Sequence, residues 1–172
     1  MPPVYRAPGR ARNPEARARA GQSAIPPRVR YAIPQPYEDL AHTADVGVRV
    51  RGATAAEAIA RLALVLGTLL AGGGEARPER EERIAVAGGP GLAGTAVALL
   101  RELLFRFATE RLIPCEIEVH RVADDGAEAT VAFARYDPAR HAEGVDVKAV
   151  TWHAARLEPE GAYWIAQAVL DV

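Results

Sequence analysis

The sequence predicts an α+β domain with two layers, in which two helices pack on one face of a largely antiparallel mixed sheet. Three observations support this prediction. Several segments have apolar residues at every second position, and two longer segments have them at the spacing of an amphipathic helix. Short turns connect the strands in the second half of the chain, which favours antiparallel pairing. The predicted order is strand, helix, strand, helix and then four strands.

The composition is that of an ordinary soluble globular protein. The chain has 172 residues, of which 49% are hydrophobic and 25% are charged, so one domain with a sizeable core is expected. No apolar run approaches the ~18–20 residues needed to cross a bilayer, and the basic N-terminus lacks the apolar segment of a secretory signal. The single cysteine, Cys115, excludes an intrachain disulfide and is predicted to be a small buried apolar residue. These features predict a cytoplasmic protein without a membrane partner.

The first 36 residues differ from the rest of the chain. They are rich in Pro, Ala, Arg and Gly without a sustained apolar period, which predicts a disordered arm over residues 1–36 and a folded domain over residues 37–172. The arm has seven arginines and one glutamate, so it carries a charge of +6, and the net charge of −1 leaves −7 for the domain. Such an arm could contact RNA phosphates. A solvated tail and a start codon assigned too early are the alternatives.

The first half of the domain begins with a strand and a helix. Valines at positions 46, 48 and 50 alternate with other residues and predict a half-buried strand. Thr54 and Glu57 then have the spacing of a capping box. A helix is predicted from this cap to about Ala71, where the glycines of residues 72–74 end it.

A charged loop is predicted over residues 77–83, followed by a short strand over residues 84–86. The second helix is predicted over residues 92–112, because its leucines and Phe107 form one broad apolar stripe. Four strands and one polar loop then complete the chain. The strands cover residues 115–120, 129–133, 147–157 and 162–170, and the loop covers residues 135–143.

Carboxylates stand at the ends of two predicted strands. Asp45 precedes the first strand, and Asp171 and the terminal carboxylate of Val172 follow the last one. If the two strands are neighbours, three hard oxygen donors converge, and such donors suit Ca²⁺ or Mg²⁺ rather than zinc. Flexible coordination completed by water favours Ca²⁺, with Mg²⁺ and Mn²⁺ as alternatives. Asp45 could instead cap a turn, and Asp171 could be a frayed terminal residue.

Four segments of the chain carry a resemblance to a known family. They are His42-Thr43-Ala44-Asp45, Leu99-Leu100-Arg101-Glu102-Leu103-Leu104-Phe105, Val147-Lys148-Ala149-Val150-Thr151-Trp152-His153 and Leu170-Asp171-Val172. In these segments, and in their order, the chain resembles the archease family from Tyr37 to its last residue. The sequence departs from the family at Ala41, where an acidic residue is usual, and residues 1–36 have no counterpart in the family.

The resemblance implies a function without chemistry of its own. Archeases are calcium-binding accessory proteins that promote guanylylation and multiple turnover of the RtcB-type RNA ligase in tRNA splicing or RNA repair. By motif position, the metal ligands map onto Asp45, Asp171 and the terminal carboxylate of Val172. The resemblance therefore implies an RtcB-type ligase as the partner and contact with RNA only through that ligase.

Four further residues lie beside these motifs. His42 is predicted to orient Asp45, with a satisfied, partly buried histidine as the alternative. His141, Asp146 and Lys148 lie on or beside the polar loop that leads into the third motif. We expect these three side chains to line a metal-adjacent or ligase-facing surface, with an ordinary solvated face as the alternative.

Two other classes of function are considered. The first is a metal-dependent hydrolase, with Asp45 and Asp171 as ligands and His42 or His141 as general base. The sequence has no nucleophile elbow, HExxH motif or P-loop, which disfavours an enzyme. The second is an RNA-binding module that uses the arginine-rich arm, and the charge of −7 on the domain disfavours direct phosphate binding.

Overall fold

The computed structural model describes residues 29–40 and 45–172, and in these residues it contains eight strands and three helices. The strands are β1 (Arg30–Ala32), β2 (Glu38–Leu40), β3 (Asp45–Gly52), β4 (Arg80–Ala87), β5 (Leu112–Ala123), β6 (Gly126–Arg135), β7 (Ala149–Glu160) and β8 (Tyr163–Asp171). The helices are α1 (Ala55–Ala71), α2 (Gly91–Glu110) and α3 (Pro138–His141). All strand pairs in this part of the chain are antiparallel.

The strands form two sheets of four strands each. Their orders are β1-β5-β6-β4 and β2-β3-β8-β7. Helix α1 packs against β5 of the first sheet and β3 of the second, and α2 packs against β5 and β7. Both helices therefore bury apolar side chains against both sheets. The predicted α+β class is confirmed, and the single predicted sheet is divided into two.

Helix α1 begins and ends as the sequence predicts. The backbone N–H of Glu57 donates to Thr54 Oγ1 at 3.1 Å, and the Glu57 carboxylate accepts from the N–H of Ala53 at 2.9 Å. These two bonds satisfy donors that have no partner inside the helix. Gly72 ends the helix in the left-handed region, with φ 58°. The cap and the glycine together fix the position of this long buried helix between the sheets.

The folded part of the chain includes residues that were predicted to lie in the arm. Strand β1 pairs with β5 between Arg30↔Glu118 and Ala32↔Glu116. Tyr31 packs against the core, and the guanidinium carbon of Arg61 lies 5.9 Å from the centre of its ring. The predicted boundary at residue 37 is therefore wrong for these residues. The rest of the predicted arm, residues 1–28, lies outside the described residues.

Strand β4 is longer than predicted and includes most of the charged loop. Arg80 to Arg83 pair with β6, and their side chains are held by ion pairs rather than by solvent alone. Arg80 contacts Glu110 at 2.7 Å, and Glu82 contacts Arg106 at 3.1 Å. An edge strand can carry such charges, which also discourage pairing with another chain. The other boundaries differ from the predictions by one to three residues, and α3 lies within the predicted polar loop.

Two other predictions concern the burial of Cys115 and the presence of membrane-spanning segments. Cys115 is buried, as expected, and its burial raises the pKa of the thiol to about 11. In the described ranges, 29–40 and 45–172, no helix combines the length and apolar character needed to cross a membrane.

A tight contact between α1 and β5 gives the first test of this fold. A Cβ atom added at Gly67 would lie 1.9 Å from the carbonyl oxygen of Pro114. Gly67→Ala should therefore lower the free energy of unfolding by about 1–3 kcal/mol through overpacking, although alanine favours helices by about 1 kcal/mol. Urea unfolding measures this change. The control, Ala108→Gly on the exposed side of α2, reports the helix-propensity term by itself. A Gly67→Ala protein more stable than wild type would contradict the described packing.

Candidate functional site

The candidate site begins with the pairing of β3 and β8. Asp45 lies directly opposite Asp171, and Ala149 of β7 lies opposite Asp171 on the other side. Directly opposed residues of antiparallel strands point to the same face of the sheet. In the next pair, Val46 faces Leu170, which is buried on the side of the helices. Asp45 and Asp171 therefore lie together on the outer face of this sheet, as the sequence predicts.

The two aspartates form a pair of like charges. The Cβ atoms of directly opposed residues are about 4.5–5.5 Å apart, so the two carboxylates occupy one small volume. Asp45 is half-buried and Asp171 is exposed. Like charges in this arrangement are destabilising, and their oxygen atoms are the donors that Ca²⁺ and Mg²⁺ prefer. Among the described residues, no group of three or more His, Cys, Asp or Glu side chains could hold a metal ion.

Two further predicted residues lie next to this pair. Val172 follows Asp171, is half-buried and packs against the core. The backbone N–H of Lys148 donates to the backbone oxygen of Asp171 at 2.8 Å, and its side chain is exposed. Lys148 is also the only lysine in a sequence that has 20 arginines. The structure thus brings Asp45, Asp171, Val172 and the backbone of Lys148 together.

The next row of residues on the same face was not predicted from the sequence. Gly47, Val169 and Thr151 lie opposite one another on β3, β8 and β7. The Thr151 hydroxyl is buried and has no hydrogen-bond partner in the described part of the chain. The order of the strands was needed to place this residue beside Asp171, and no sequence pattern reports the burial of its hydroxyl.

An open groove lies at the same end of the sheet as the carboxylate pair, on the side of the helices. It has a volume of about 390 Å³ and lies between α2 and the start of β7. The lining residues are Arg101, Leu104, Phe105, Ala108, Lys148, Ala149 and Val150. The side chain of Phe105 is 58% exposed. Arg101 donates from Nε to the backbone oxygen of Val150 at 3.0 Å, and its guanidinium carbon lies 5.6 Å from the ring centre of Trp152. We call this surface the α2–β7 groove.

His141 does not line a surface, which corrects the prediction. Its side chain is only 2% exposed. The N–H of Asp137 donates to Nδ1 at 2.9 Å, and Nε2 lies 3.1 Å from the backbone oxygen of Glu75. Nδ1 accepts, so the ring is neutral and Nε2 is the donor. His141 joins α3 to the segment after α1, and both nitrogens that a general base would use have partners.

Of the two remaining predicted residues, Asp146 and His42, the structure describes only Asp146. Asp146 is exposed and lies in the segment between α3 and β7, two residues before Lys148. Its carboxylate is accessible to solvent near the start of β7, which agrees with a surface position. His42 lies outside the described residues, so its predicted role in orienting Asp45 stays a prediction.

Comparisons with known proteins identify the family. Residues 37–172 match the Archease protein family (MTH1598/TM1083). The chain is 31% identical to protein archease of Methanopyrus kandleri over 80% of this chain and 99% of the relative. It is 32% identical to protein archease of Pyrococcus furiosus over 79% of this chain and 98% of the relative. The chain therefore belongs to the archease family.

Solved structures agree with this assignment. The solution structure of Methanobacterium thermoautotrophicum protein 1598 superposes with a TM-score of 0.61 at 26% identity, covering 79% of this chain and 98% of that one. The crystal structure of an archease from Thermotoga maritima, described as a possible chaperone, gives a TM-score of 0.54 at 19% identity. It covers 83% of this chain and 99% of that one, and it supports the fold. The family predicted from the four motifs is thus confirmed.

The like charges of the site lead to a stability prediction. Without calcium, Asp45→Asn should raise the free energy of unfolding by about 0.2–1 kcal/mol, because it removes the repulsion from Asp171. The gain should shrink as salt is added, since the pair is partly exposed and is screened. Thermal melts in a chelator at low and high salt measure both effects. Glu79→Gln, at an exposed carboxylate of the same acidic domain, is the control. An equal gain in this control would show that net charge, rather than the pair, is responsible.

Proposed function

We propose that this protein is a calcium-binding accessory protein that activates an RtcB-type RNA ligase by promoting its guanylylation and repeated turnover. The observation that carries the proposal is the direct pairing of Asp45 with Asp171 at one end of the sheet, where Asp171 is exposed and Asp45 is half-buried. Membership of the archease family supports it. In this proposal the protein is not itself an enzyme, and it contacts RNA only through the ligase.

The donor set of the site fits a hard cation. Asp45 and Asp171 supply carboxylate oxygens, and the proposal assigns a third donor to the terminal carboxylate of Val172. Ca²⁺ takes six to eight oxygen ligands with flexible geometry, so two aspartates and one terminal carboxylate leave positions for water or for groups of a partner. Bound at this place, Ca²⁺ would supply positive charge and open coordination positions at the surface. The residues around it hold the carboxylates in register.

The surroundings of the pair support a role at an interface. The α2–β7 groove shares its Lys148–Val150 edge with the strand that pairs with Asp171. This edge combines the exposed apolar ring of Phe105 with the two cations of Arg101 and Lys148. Exposed aromatic and arginine side chains are typical of protein interfaces. The carboxylate pair lies at the same end of the sheet as the groove but on the outer face, so a partner that wraps around this end contacts both. We assign this combined surface to the ligase.

Lys148 supports the same assignment through its chemistry. The chain uses arginine at every other basic position, so composition alone would favour arginine here. A lysine ammonium is a compact charge with three donors, whereas a guanidinium is planar and larger. The backbone N–H of Lys148 donates to the backbone oxygen of Asp171 at 2.8 Å, so the exposed lysine side chain begins next to the strand end that carries the carboxylate pair. The proposal assigns the function at position 148 to the amine itself, and not merely to a positive charge.

The metal prediction tests the site. Calcium should raise the melting temperature, because a ligand that binds the native state at a hundredfold excess over Kd adds about 2.7 kcal/mol. Asp45→Ala and Asp171→Ala should each abolish this shift, whereas Glu79→Ala should retain it. Thermal melts of chelator-treated protein with added calcium give the measurement. A wild-type shift in both aspartate variants would remove the ligand assignment.

The ligase prediction tests the function. Lys148→Ala and Lys148→Arg should both reduce stimulation of multiple-turnover ligation by about tenfold or more, the effect of losing one hydrogen bond to a charged group. Both variants should melt like wild type, because the side chain is exposed. The assay uses limiting purified RtcB-type ligase, and Arg83→Ala, exposed on β4 of the other sheet, is the matched control. Full stimulation by Lys148→Arg would show that any cation serves at this position.

A further inference from the structure

The hydroxyl group of Thr151 is an unusual feature of the outer face of the second sheet. Its Oγ1 atom is buried and has no hydrogen-bond partner among the described residues. Buried polar atoms without partners are rare in native proteins, because each loses its hydrogen bonds to water without compensation. Such an atom calls for a physical explanation, and an ion or a water held at a site is one of them.

The other polar side chains of this part of the sheet have partners. Gln167 is buried, and its Oε1 accepts from Arg49 Nε at 2.9 Å while its Nε2 donates to the backbone oxygen of Ala154 at 2.8 Å. These bonds also hold the irregular segment of β7 that follows Thr151, where the register with β8 shifts. The polar side chains of Arg49 and Gln167 on this face therefore have hydrogen-bond partners. The hydroxyl that has none, Thr151 Oγ1, lies in the row next to the carboxylate pair.

The register places this hydroxyl beside the candidate cation site. Thr151 lies opposite Val169, and Ala149 lies opposite Asp171, so Thr151 and Asp171 are diagonal neighbours on one face. The Cα atoms of diagonal neighbours are about 7–8 Å apart and their Cβ atoms somewhat less. At this separation the Thr151 hydroxyl and the Asp171 carboxylate can be joined by a single bridging water. Gly47, on the far side of Val169, adds no side chain to this row.

We propose that Thr151 is a positioning residue of the cation site, whose hydroxyl accepts a hydrogen bond from a water in the coordination shell on the Asp171 side. This inference rests on the proposed calcium site and adds a residue to it. Residues that contact a metal's ligands rather than the metal commonly change its affinity by about 10–100-fold. The hydroxyl gains its partner when the cation binds, so it opposes stability in the free protein and supports binding.

These two effects have opposite signs and can be measured on one variant. Thr151→Val keeps the shape of the side chain and removes the hydroxyl. Without calcium it should melt at or above the wild-type temperature, because the unsatisfied group is gone. Its calcium affinity, measured by titration calorimetry on the full chain with CaCl₂, should fall by about tenfold or more. Thr151→Ser keeps the hydroxyl and should bind calcium like wild type.

Matched controls separate this role from a general effect of the substitution. Thr95 is also buried, but its hydroxyl donates to the backbone oxygen of Ala123 at 2.7 Å. Thr95→Val should therefore lower the melting temperature and leave calcium affinity unchanged. Asp45→Ala tests the cation site itself in the same titration and should show no binding.

Each outcome decides between these assignments. If wild type binds calcium, Asp45→Ala does not, and Thr151→Val binds like wild type, the role of Thr151 is overturned and the proposed cation site stands. Equal weakening by Thr151→Ser and Thr151→Val would also overturn the role of the hydroxyl. If wild type binds no calcium, or Asp45→Ala binds like wild type, the cation site falls and the inference falls with it.

Discussion

The register between β3 and β8 is the constraint on which the site depends. On the side of the helices, the buried valines of β3 face buried residues of β8: the pairs are Val48↔Ala168 and Val50↔Ala166. Slipping the pairing by one residue would move these apolar side chains to the outer face. Burying one valine contributes about 1.5–3 kcal/mol. The core therefore fixes the register, and the register forces Asp45 and Asp171 to face each other.

Local patterns made a large part of this arrangement predictable. Alternating valines, a capping box and a glycine stop report interactions within a few residues, and so α1 and β3 were placed correctly from the sequence. The carboxylate pair was predictable for a different reason. Asp45 begins β3 and Asp171 ends β8, so antiparallel pairing of these two strands places the two aspartates opposite each other.

The features that were missed depend on contacts distant in sequence. Three residues of β1 carry no pattern of their own and are ordered by pairing with β5. His141 was expected on a surface, because a polar loop is usually solvated, but its ring bonds to the backbone at residue 75 and is buried. Thr151 lay within a recognised motif, yet its significance comes from its place diagonal to Asp171 and from the burial of its oxygen.

The free-energy cost of the Asp45–Asp171 pair is small compared with the stability that the core contributes. Opposed like charges in a sheet cost about 0.2–1 kcal/mol, which is less than the burial of one core valine contributes. The domain can therefore hold Asp45 against Asp171 without a cation. Neutral residues at these positions would make the same sheet more stable. The repulsion is tolerated at a place where the α2–β7 groove begins and where Lys148 is fixed to the backbone of Asp171. In the proposed function, this small loss of stability keeps a cation-binding pair on the surface that the ligase covers.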